Sequence, residues 1–229
     1  MVPGIRLLAN PGMGEVLRSL GPRLERALSC EIEMTFGLFR HLKALIDANE
    51  FEVLVSTGEV ASYAINEARV ATPLIDLAKV GIGVAIKSGA PRPDIGSLAA
   101  FKQTLLSAKS ISYTSGSTAG EYLDKLMERL GIAEQMKSKT KLMGGGGQNP
   151  RAVATGAVEL GLSLISDIVS FPEAELLGPL PPELQYYIIE RAGVSAVMAN
   201  SEIARSLIDF LRSPIGRDAF LAQGMEPVE

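Results

Sequence analysis

Short apolar runs alternate with amphipathic stretches along the first sixty residues, and turn residues mark each change. Residues 5–9 are apolar except for Arg6 and end at Asn10-Pro-Gly, after which apolar side chains recur at helical spacing over 16–28. Residues 31–36 alternate apolar and polar side chains as a half-buried strand does, and 51–56 form a third apolar run. Strands that alternate with helices predict an α/β fold with βαβ units and a parallel sheet.

The middle of the chain begins with a long β-rich stretch, residues 72–87, which ends in a loop containing Gly89, Pro91 and Pro93. Beyond this loop the alternation of strand and helix resumes and predicts a second βαβ set. Its predicted elements are helices over 97–108 and 122–130 and strands over 110–114, 140–143 and 160–165. A further helix is predicted after the glycine run, with Asn149 as its N-cap and Pro150 in its first turn.

A second β-rich stretch, residues 186–199, precedes a helix over 201–212 and a further helix from Pro214. We interpret residues 80–88 and 185–192 as two crossover strands between two α/β lobes. The predicted lobes are residues 1–85 with 188–229, and residues 86–187. Two lobes joined by two strands form a hinge, with a ligand cleft between them.

Composition and charge exclude several classes of protein. The 229 residues are 47% hydrophobic, which is enough apolar area for a core, and the net charge is −4. This charge offers no basic face for phosphates, so we expect no nucleic-acid partner. No apolar run approaches the roughly 18 residues of a membrane span. The lone Cys30 and His41 disfavour a disulfide framework, a thiolate or histidine metal site and a Ser-His-Asp triad.

Three glycine motifs lack a residue that nucleotide binding requires. Residues 12–17 and 81–86 begin Gly-x-Gly but end in leucine and isoleucine, where the dinucleotide fingerprint has a small residue. Gly144–Gly147 is not followed by the Gly-Lys-Ser/Thr of a phosphate-binding loop. We therefore predict no nucleotide, no other cofactor and no metal.

Four glycine- or serine-containing turns each connect a predicted strand to a predicted helix. They are Asn10–Gly14, Gly37–Arg40, Ser115–Ala119 and Gly145–Pro150. Ligands of open α/β sheets bind at the carboxyl ends of strands, where helix N-termini present N–H groups and partial positive charge. The turns therefore indicate an anion site, or they are ordinary βα turns, which use glycine and serine in any case.

Arg40 stands at the start of the second predicted helix, where a cation is unfavourable to the helix dipole. Two interpretations stay open. In the first, the planar guanidinium group of Arg40 binds an anionic ligand. In the second, the side chain is solvated or is paired with Glu33 or Glu59.

The hydroxyls of Ser115, Ser117 and Thr118 donate to a ligand or cap the helix that follows. We expect capping from one of them and ligand contact from another. No enzyme activity is predicted, because these hydroxyls lack a nearby histidine and three carboxylates stand isolated in the sequence: Glu59, Asp167 and Glu190.

Several segments resemble a known family, and the resemblance covers nearly the whole chain. The run Ser117-Thr-Ala-Gly-Glu-Tyr122 is similar to that family's Pro-Ala-Gly-x-Tyr. Residues 149–154 with 156–167 are similar to its Val-Arg-x-Ala-Leu…Leu-Gly-Ile-Val-Tyr-x-Ser-Asp, and residues 211–225 to its C-terminal ending. The family is that of the solute-binding proteins of ABC importers, nearest to the molybdate-binding branch.

This resemblance implies a two-lobed, monomeric binding protein that closes on a small anion and passes it to a membrane permease. It also implies a periplasmic location. However, Met1-Val-Pro-Gly leads directly into the first strand without a leader. The sequence therefore fits a mature periplasmic protein, or a cytoplasmic sensor module of the same fold.

The positions that match the family's oxyanion contacts differ in chemistry. Gly12 and Phe39 stand where the molybdate binders have serine hydroxyls, and Leu164 stands where they have a tyrosine. Pro150 lacks the N–H that the matching turn supplies, whereas Ala119 keeps its N–H. Each unmet donor to a buried oxyanion costs about 1–3 kcal/mol, so molybdate or tungstate becomes the alternative ligand.

We instead expect a small organic acid, because Phe39 and Leu164 make the pocket more apolar and Arg40 offers a bidentate cation. The predicted ligand-binding residues are Asn10, Gly12, Met13, Phe39, Arg40, Thr57, Ser115, Ser117, Thr118, Ala119, Asn149 and Leu164.

Overall fold

The computed structural model describes residues 4–144 and 147–229, and the chain divides into two compact units. The first unit comprises Met1–Lys79 and Ile188–Glu229, and the second comprises Val80–Tyr187. The chain therefore passes twice between the units, each time inside a strand. The lobe boundaries inferred from the sequence, residues 1–85 with 188–229 and residues 86–187, stay a prediction.

The strands of the described residues follow the predicted apolar runs, with additions near the end of each unit. They are β1 (Gly4–Ala9), β2 (Glu31–Phe36), β3 (Val53–Ser56), β4 (Ile75–Lys87), β5 (Ile111–Thr114), β6 (Thr140–Met143), β7 (Leu160–Leu164), β8 (Ala174–Pro179), β9 (Tyr187–Val194) and β10 (Glu226–Pro227). Strands β8 and β10 were absent from the sequence prediction.

The α-helices connect or flank these strands. They are α1 (Gly14–Leu28), α2 (Phe39–Asp47), α3 (Gly58–Asn66), α4 (Leu98–Ser107), α5 (Thr118–Arg129), α6 (Ala133–Lys137), α7 (Gln148–Ala154), α8 (Ile165–Val169), α9 (Glu202–Arg212) and α10 (Pro214–Ala222). Helix α3 and the five-residue helices α6 and α8 went unpredicted, because their apolar pattern is short.

The first unit contains a sheet with the order β2-β1-β3-β9. Strand β1 pairs in parallel with β2 and β3, as the βαβ pattern predicts. Strand β9 runs antiparallel to β3, so the sheet is mixed and not purely parallel as the βαβ pattern predicts. The reason is that β9 carries the returning chain and is not the end of a βαβ unit.

The core of the first unit lies on the inner faces of its helices. Helix α1 buries Val16, Leu17, Leu20 and Leu24, as its spacing predicts, whereas Ala27 is exposed. A second cluster brings β1, β3, α2 and α3 together through Leu8, Leu42, Ile46, Phe51, Leu54, Val60, Ala64 and Val70.

The second unit has the strand order β4-β7-β5-β6, with β8 also on β4. Strand β5 is parallel to β6 and β7, and β4 is antiparallel to β7 and β8. Helix α5 buries Leu123, Leu126 and Met127, which the helical spacing predicts.

Two details correct the sequence interpretation. The stretch 186–199 is a strand only to Val194 and then forms a 3-10 helix, Ala196–Met198, in which Met198 is exposed and not part of the core. Cys30 lies in a bend just before β2, and burial raises the pKa of its thiol. Because the thiolate is the reactive form, this shift makes the thiol less reactive.

Candidate functional site

The register of the first unit brings three strand-to-helix turns to one edge of its sheet. Ala9 is paired with Phe36 on one side and with Val55 on the other. The backbone continues this pairing, since the N–H of Asn10 donates to the carbonyl of Val55 at 3.3 Å. The turns after β1, β2 and β3 are therefore neighbours, which is the arrangement of a ligand site at the carboxyl ends of parallel strands.

Asn10 is held in one orientation by two hydrogen bonds. Its Oδ1 accepts from the N–H of Met13 at 3.1 Å and caps a 3-10 helix, Pro11–Met13. Its Nδ2 donates to Oε2 of Glu190 at 2.8 Å. Glu190 lies on β9 and is only 2% exposed.

Sequence reasoning treated Glu190 as an isolated carboxylate, although the alternation of β9 contained a signal. Ile188, Ala192 and Val194 are buried at alternate positions, and Glu190 occupies the same inward series. An acidic residue at an inward position of a strand needs a polar partner. The partner, Asn10, is far away in sequence and comes close only in the folded unit.

The other predicted residues of the first turn differ in accessibility. Gly12 is partly exposed, whereas the side chain of Met13 is completely buried. Met13 therefore belongs to the core, because its side chain faces inward from the 3-10 turn. This burial corrects the expectation that its side chain contacts a ligand.

Helix α2 begins at Phe39, and its N-cap residue is Leu38. The Leu38 side chain makes no capping hydrogen bond to the N–H groups of the first turn. The half-buried ring of Phe39 meets the ring of Tyr63 edge-on, with 5.6 Å between centroids. Arg40 is exposed and takes part in none of the ion pairs formed within residues 4–144 and 147–229. The suggested pairing with Glu33 or Glu59 is therefore wrong.

Helix α3 begins in the same way as α2. Thr57 is its N-cap residue, without a side-chain cap bond, and Gly58 adopts a φ of 47°. The first N–H groups of a helix have no partner within the helix. The ends of β2 and β3, on either side of β1, thus lead into helix N-termini whose N–H groups are not capped by their own N-cap side chains.

In the second unit, Ser117 caps α5. Its Oγ accepts from the N–H of Gly120 at 3.0 Å and donates to the carbonyl of Thr114 at 3.0 Å. Ser115 and Thr118 are exposed, and Ala119 is buried. Capping by one of the predicted hydroxyls is confirmed at Ser117, and the backbone N–H groups at the start of α5 remain as candidate donors.

Asn149 was predicted to be the N-cap of the helix after the glycine run, and this prediction is wrong. The N-cap of α7 is Gly147, and Asn149 lies inside the helix with a buried side chain. Its Oδ1 accepts from the hydroxyl of Ser112, and its Nδ2 donates to the carbonyl of Leu162 at 2.7 Å. Its amide therefore connects β5 to β7. Gly145 and Gly146 of the predicted turn lie outside the described residues.

Leu164 is the partly buried last residue of β7. Polar side chains lie on both sides of it in the sequence, with Ser163 before it and Ser166 and Asp167 after it. The hydroxyl of Ser163 donates to Oδ2 of Asp167 at 3.1 Å. Burial raises the pKa of the Asp167 carboxyl, and the hydrogen bond from Ser163 only partly opposes it. The neighbouring Ser166 hydroxyl is buried and has no hydrogen-bond partner among the described residues.

The part of the chain that the structure describes contains neither a metal-binding cluster nor a membrane-spanning helix. No three side chains of His, Cys, Asp or Glu gather as ligands for a metal ion. None of the described helices has the length and hydropathy to cross a membrane.

Comparison with known proteins places these features in context. The family model described as bacterial extracellular solute-binding protein matches residues 5–226. The aconitate isomerase of a Pseudomonas species is 28% identical over 228 residues, which cover 98% of this chain and 79% of that relative.

Two solved structures share the fold across almost the full length of both chains. The substrate-binding domain of a protein described as a molybdenum ABC transporter, from Clostridium difficile, has a TM-score of 0.81 at 17% identity and covers 99% of each chain. PEB3 of Campylobacter jejuni with L-phospholactate bound has a TM-score of 0.75 at 13% identity, over 97% of this chain and 99% of PEB3.

Proposed function

The chain belongs to the bacterial extracellular solute-binding proteins, and from this premise we propose that it binds a small organic acid for uptake by an ABC permease. Its fold is that of the type II periplasmic binding proteins. The proposed place of action is the periplasm, and the proposed partners are the acid and the permease.

The observation that carries the proposal is the pair of helix N-termini that follow β2 and β3, the two strands on either side of β1 in the first unit. Helices α2 and α3 both begin without a side-chain cap. Their N–H groups and dipoles favour an anion, and the exposed Arg40 adds a full positive charge beside α2. In the second unit, the N–H groups of Thr118 and Ala119 at the start of α5 are donors of the same kind.

An organic acid is favoured over an inorganic oxyanion by the side chains around these termini. Gly12 and Phe39 supply no hydroxyl, and the partly exposed Phe39 ring suits a carbon skeleton. One similar protein is an aconitate isomerase, and another, PEB3, was solved with L-phospholactate bound. The molybdenum relative supports molybdate or tungstate as the alternative.

A thermal-shift panel tests the proposal. One set contains molybdate, tungstate, sulfate and phosphate, and the other contains mono-, di- and tricarboxylates. A ligand at a hundred times its dissociation constant adds about 2.7 kcal/mol, which is roughly 5–10 °C for a chain of this size. Stabilisation by carboxylates alone supports the proposal, and stabilisation by molybdate or tungstate alone contradicts it.

Arg40→Ala tests the role of the exposed cation. We expect at least tenfold weaker binding of the acid by calorimetry, because a charge-assisted hydrogen bond contributes about 1.5–3 kcal/mol. Arg23→Ala is the matched control, since Arg23 is also exposed and lies on α1. Equal affinities of the two variants would remove Arg40 from the site.

A second function, isomerisation of an unsaturated tricarboxylate, is favoured by the aconitate isomerase relative, which matches nearly the whole chain. The sequence alone predicted no enzyme. Proton NMR of cis-aconitate with a catalytic amount of protein decides between the two functions. Appearance of the trans isomer supports the enzyme, and binding without conversion supports the binding protein.

A further inference from the structure

A groove on the second unit has the size of a small-ligand site, and none of the residues predicted to bind the solute lines it. Its volume is about 340 Å³, within the range of roughly 300–1,000 Å³ that such sites have. It is lined by α4, the end of α5 and the 3-10 helix Pro182–Leu184. The lining residues are Leu98, Lys102, Arg129, Leu130, Glu183 and Leu184.

The apolar part of the groove consists of three leucines. Leu130 and Leu184 are buried, whereas Leu98 is 40% exposed. An exposed aliphatic side chain beside buried ones leaves apolar surface that the hydrocarbon part of a ligand can cover. Each methylene that is fully buried on such a surface strengthens binding by up to about fourfold.

Hydrogen bonds within the unit hold the groove together. The N–H of Leu98 donates to Oε1 of Glu183 at 3.2 Å, so this carboxylate is engaged at the start of α4. The Tyr122 hydroxyl donates to the carbonyl of Leu184 at 2.7 Å and accepts from Nη2 of Arg129 at 3.4 Å. These contacts connect the 3-10 helix to both α-helices, so the groove is built into the folded unit.

The two cations of the groove have hydrogen-bond donors to spare. Neither Lys102 nor Arg129 forms an ion pair with another residue of the described ranges. Arg129 uses one N–H donor on Tyr122 and keeps the others. Since Glu183 is the carboxylate that lines the groove with them, the lining is net positive in a chain whose net charge is −4. An anion with a hydrocarbon chain complements both parts of this surface.

We propose that this groove is a second binding site, which takes a free carboxylic acid with an aliphatic chain of medium length. Lys102 and Arg129 receive the carboxylate, and the three leucines cover the chain. This inference goes beyond the proposed function, because the groove differs from the strand ends of the first unit in its residues and in its ligand.

Methyl NMR of the full chain with octanoate tests the site, because the methyl groups of Leu98, Leu130 and Leu184 lie in the groove. We expect their signals to shift with a dissociation constant of about 1 mM or less. Octanamide lacks the charge and butyrate lacks most of the chain, so each should bind at least about tenfold more weakly.

Three charge variants of the lining should change octanoate binding in opposite directions. Lys102→Gln and Arg129→Gln each remove a cation and should weaken it at least about threefold, whereas Glu183→Gln should strengthen it about threefold. The amide oxygen of the glutamine still accepts from the N–H of Leu98, so the start of α4 is kept. Lys109→Gln is the matched control and should bind as the wild type does, since Lys109 is exposed and does not line the groove.

Three outcomes overturn the inference. The first is that the three leucine signals do not shift at about ten times the expected dissociation constant. The second is equal binding of octanoate and octanamide, and the third is an octanoate affinity that none of the three charge variants changes. None of them bears on the proposed function, which Arg40→Ala tests in the first unit. That variant should leave octanoate binding in the groove unchanged.

Discussion

At the scale of single residues, burial separates groups that face a ligand from groups that hold the fold. Asn149 and Asn10 were both predicted to contact the solute. Asn149 is buried and spans Ser112 and Leu162, whereas Asn10 is partly exposed at a strand end. The same amide therefore has a structural role in one place and remains a candidate for binding in the other.

Replacing Asn149 by Ala should lower the free energy of unfolding by about 2–3 kcal/mol. The change leaves the hydroxyl of Ser112 and the carbonyl of Leu162 without their buried partner. Urea denaturation measures the loss. Asn200→Ala, at an exposed asparagine, should stay within about 0.5 kcal/mol of the wild type. A similar loss in both variants would contradict the structural role of Asn149.

Asp167→Asn should stabilise the protein at neutral pH. Burial raises the pKa of the folded carboxyl above its ordinary value of 3.8, so the folded state holds the proton more tightly. Stability from this group is present below the unfolded pKa and is lost as the pH rises through the raised folded pKa. The neutral amide avoids that loss, and its oxygen still accepts from Ser163.

Urea midpoints measured between pH 4 and pH 8 check this expectation. The midpoint of Asp167→Asn should exceed that of the wild type at pH 7, with the difference shrinking towards pH 4. For Asp209→Asn, at an exposed position on α9, the urea midpoint should change with pH in the same way as that of the wild type. A constant difference across the pH range would show that Asp167 is not the titrating group.

At the scale of elements, β4 depends on a side chain more than a hundred residues away. Gln185 Oε1 accepts from the N–H of Ile82 at 2.8 Å, and its Nε2 donates to the Ile82 carbonyl at 2.9 Å. A Cβ at Gly81 would lie only 2.9 Å from that Nε2. Glycine at this position therefore allows the Gln185 amide to bond to the strand as a neighbouring strand would.

Gln185→Ala should make the Ile82 amide exchange with solvent at least tenfold faster and lower the unfolding free energy by about 2 kcal/mol. Both effects follow from the loss of two hydrogen bonds to one residue of β4. Hydrogen exchange followed by NMR measures the first and urea denaturation the second. Gln103→Ala, on the exposed side of α4, should change neither.

At the scale of the whole molecule, the two units differ in the number of chain segments that form them. The second unit is one continuous segment, Val80–Tyr187, whereas the first combines Met1–Lys79 with Ile188–Glu229. Within the first unit, α1 packs against α9 and α10 from the far end of the sequence. Only the second unit thus contains all of its own elements in an uninterrupted stretch.

Residues 80–187 expressed alone should therefore fold, whereas residues 1–79 alone should not. The isolated second unit keeps the pairing of β4 with β7 and β8 and the buried face of α5. Circular dichroism and the dispersion of amide NMR signals test both fragments. Poorly dispersed amide signals for residues 80–187, or well-dispersed amide signals for residues 1–79, would contradict this division.

Much of the element order follows from the sequence alone, because period and turn chemistry are local. The stripe of α1, the alternation of β2 and the breaker at Gly37 locate those elements within a few residues. The prediction of no nucleic-acid partner and no disulfide framework also comes from composition, since charge and cysteine content need no coordinates. The family also follows from the sequence, because its motifs are spread over nearly the whole chain.

Tertiary structure decided what depends on residues far apart in the chain. The contact of Glu190 with Asn10 joins positions 180 residues apart, and that of Asn149 with Leu162 joins two elements through a buried amide. No local pattern specifies which polar group satisfies another, because that choice is made when strands pair and helices pack. The direction of β9 and the burial of Met13 were decided in the same way, by packing of the folded unit.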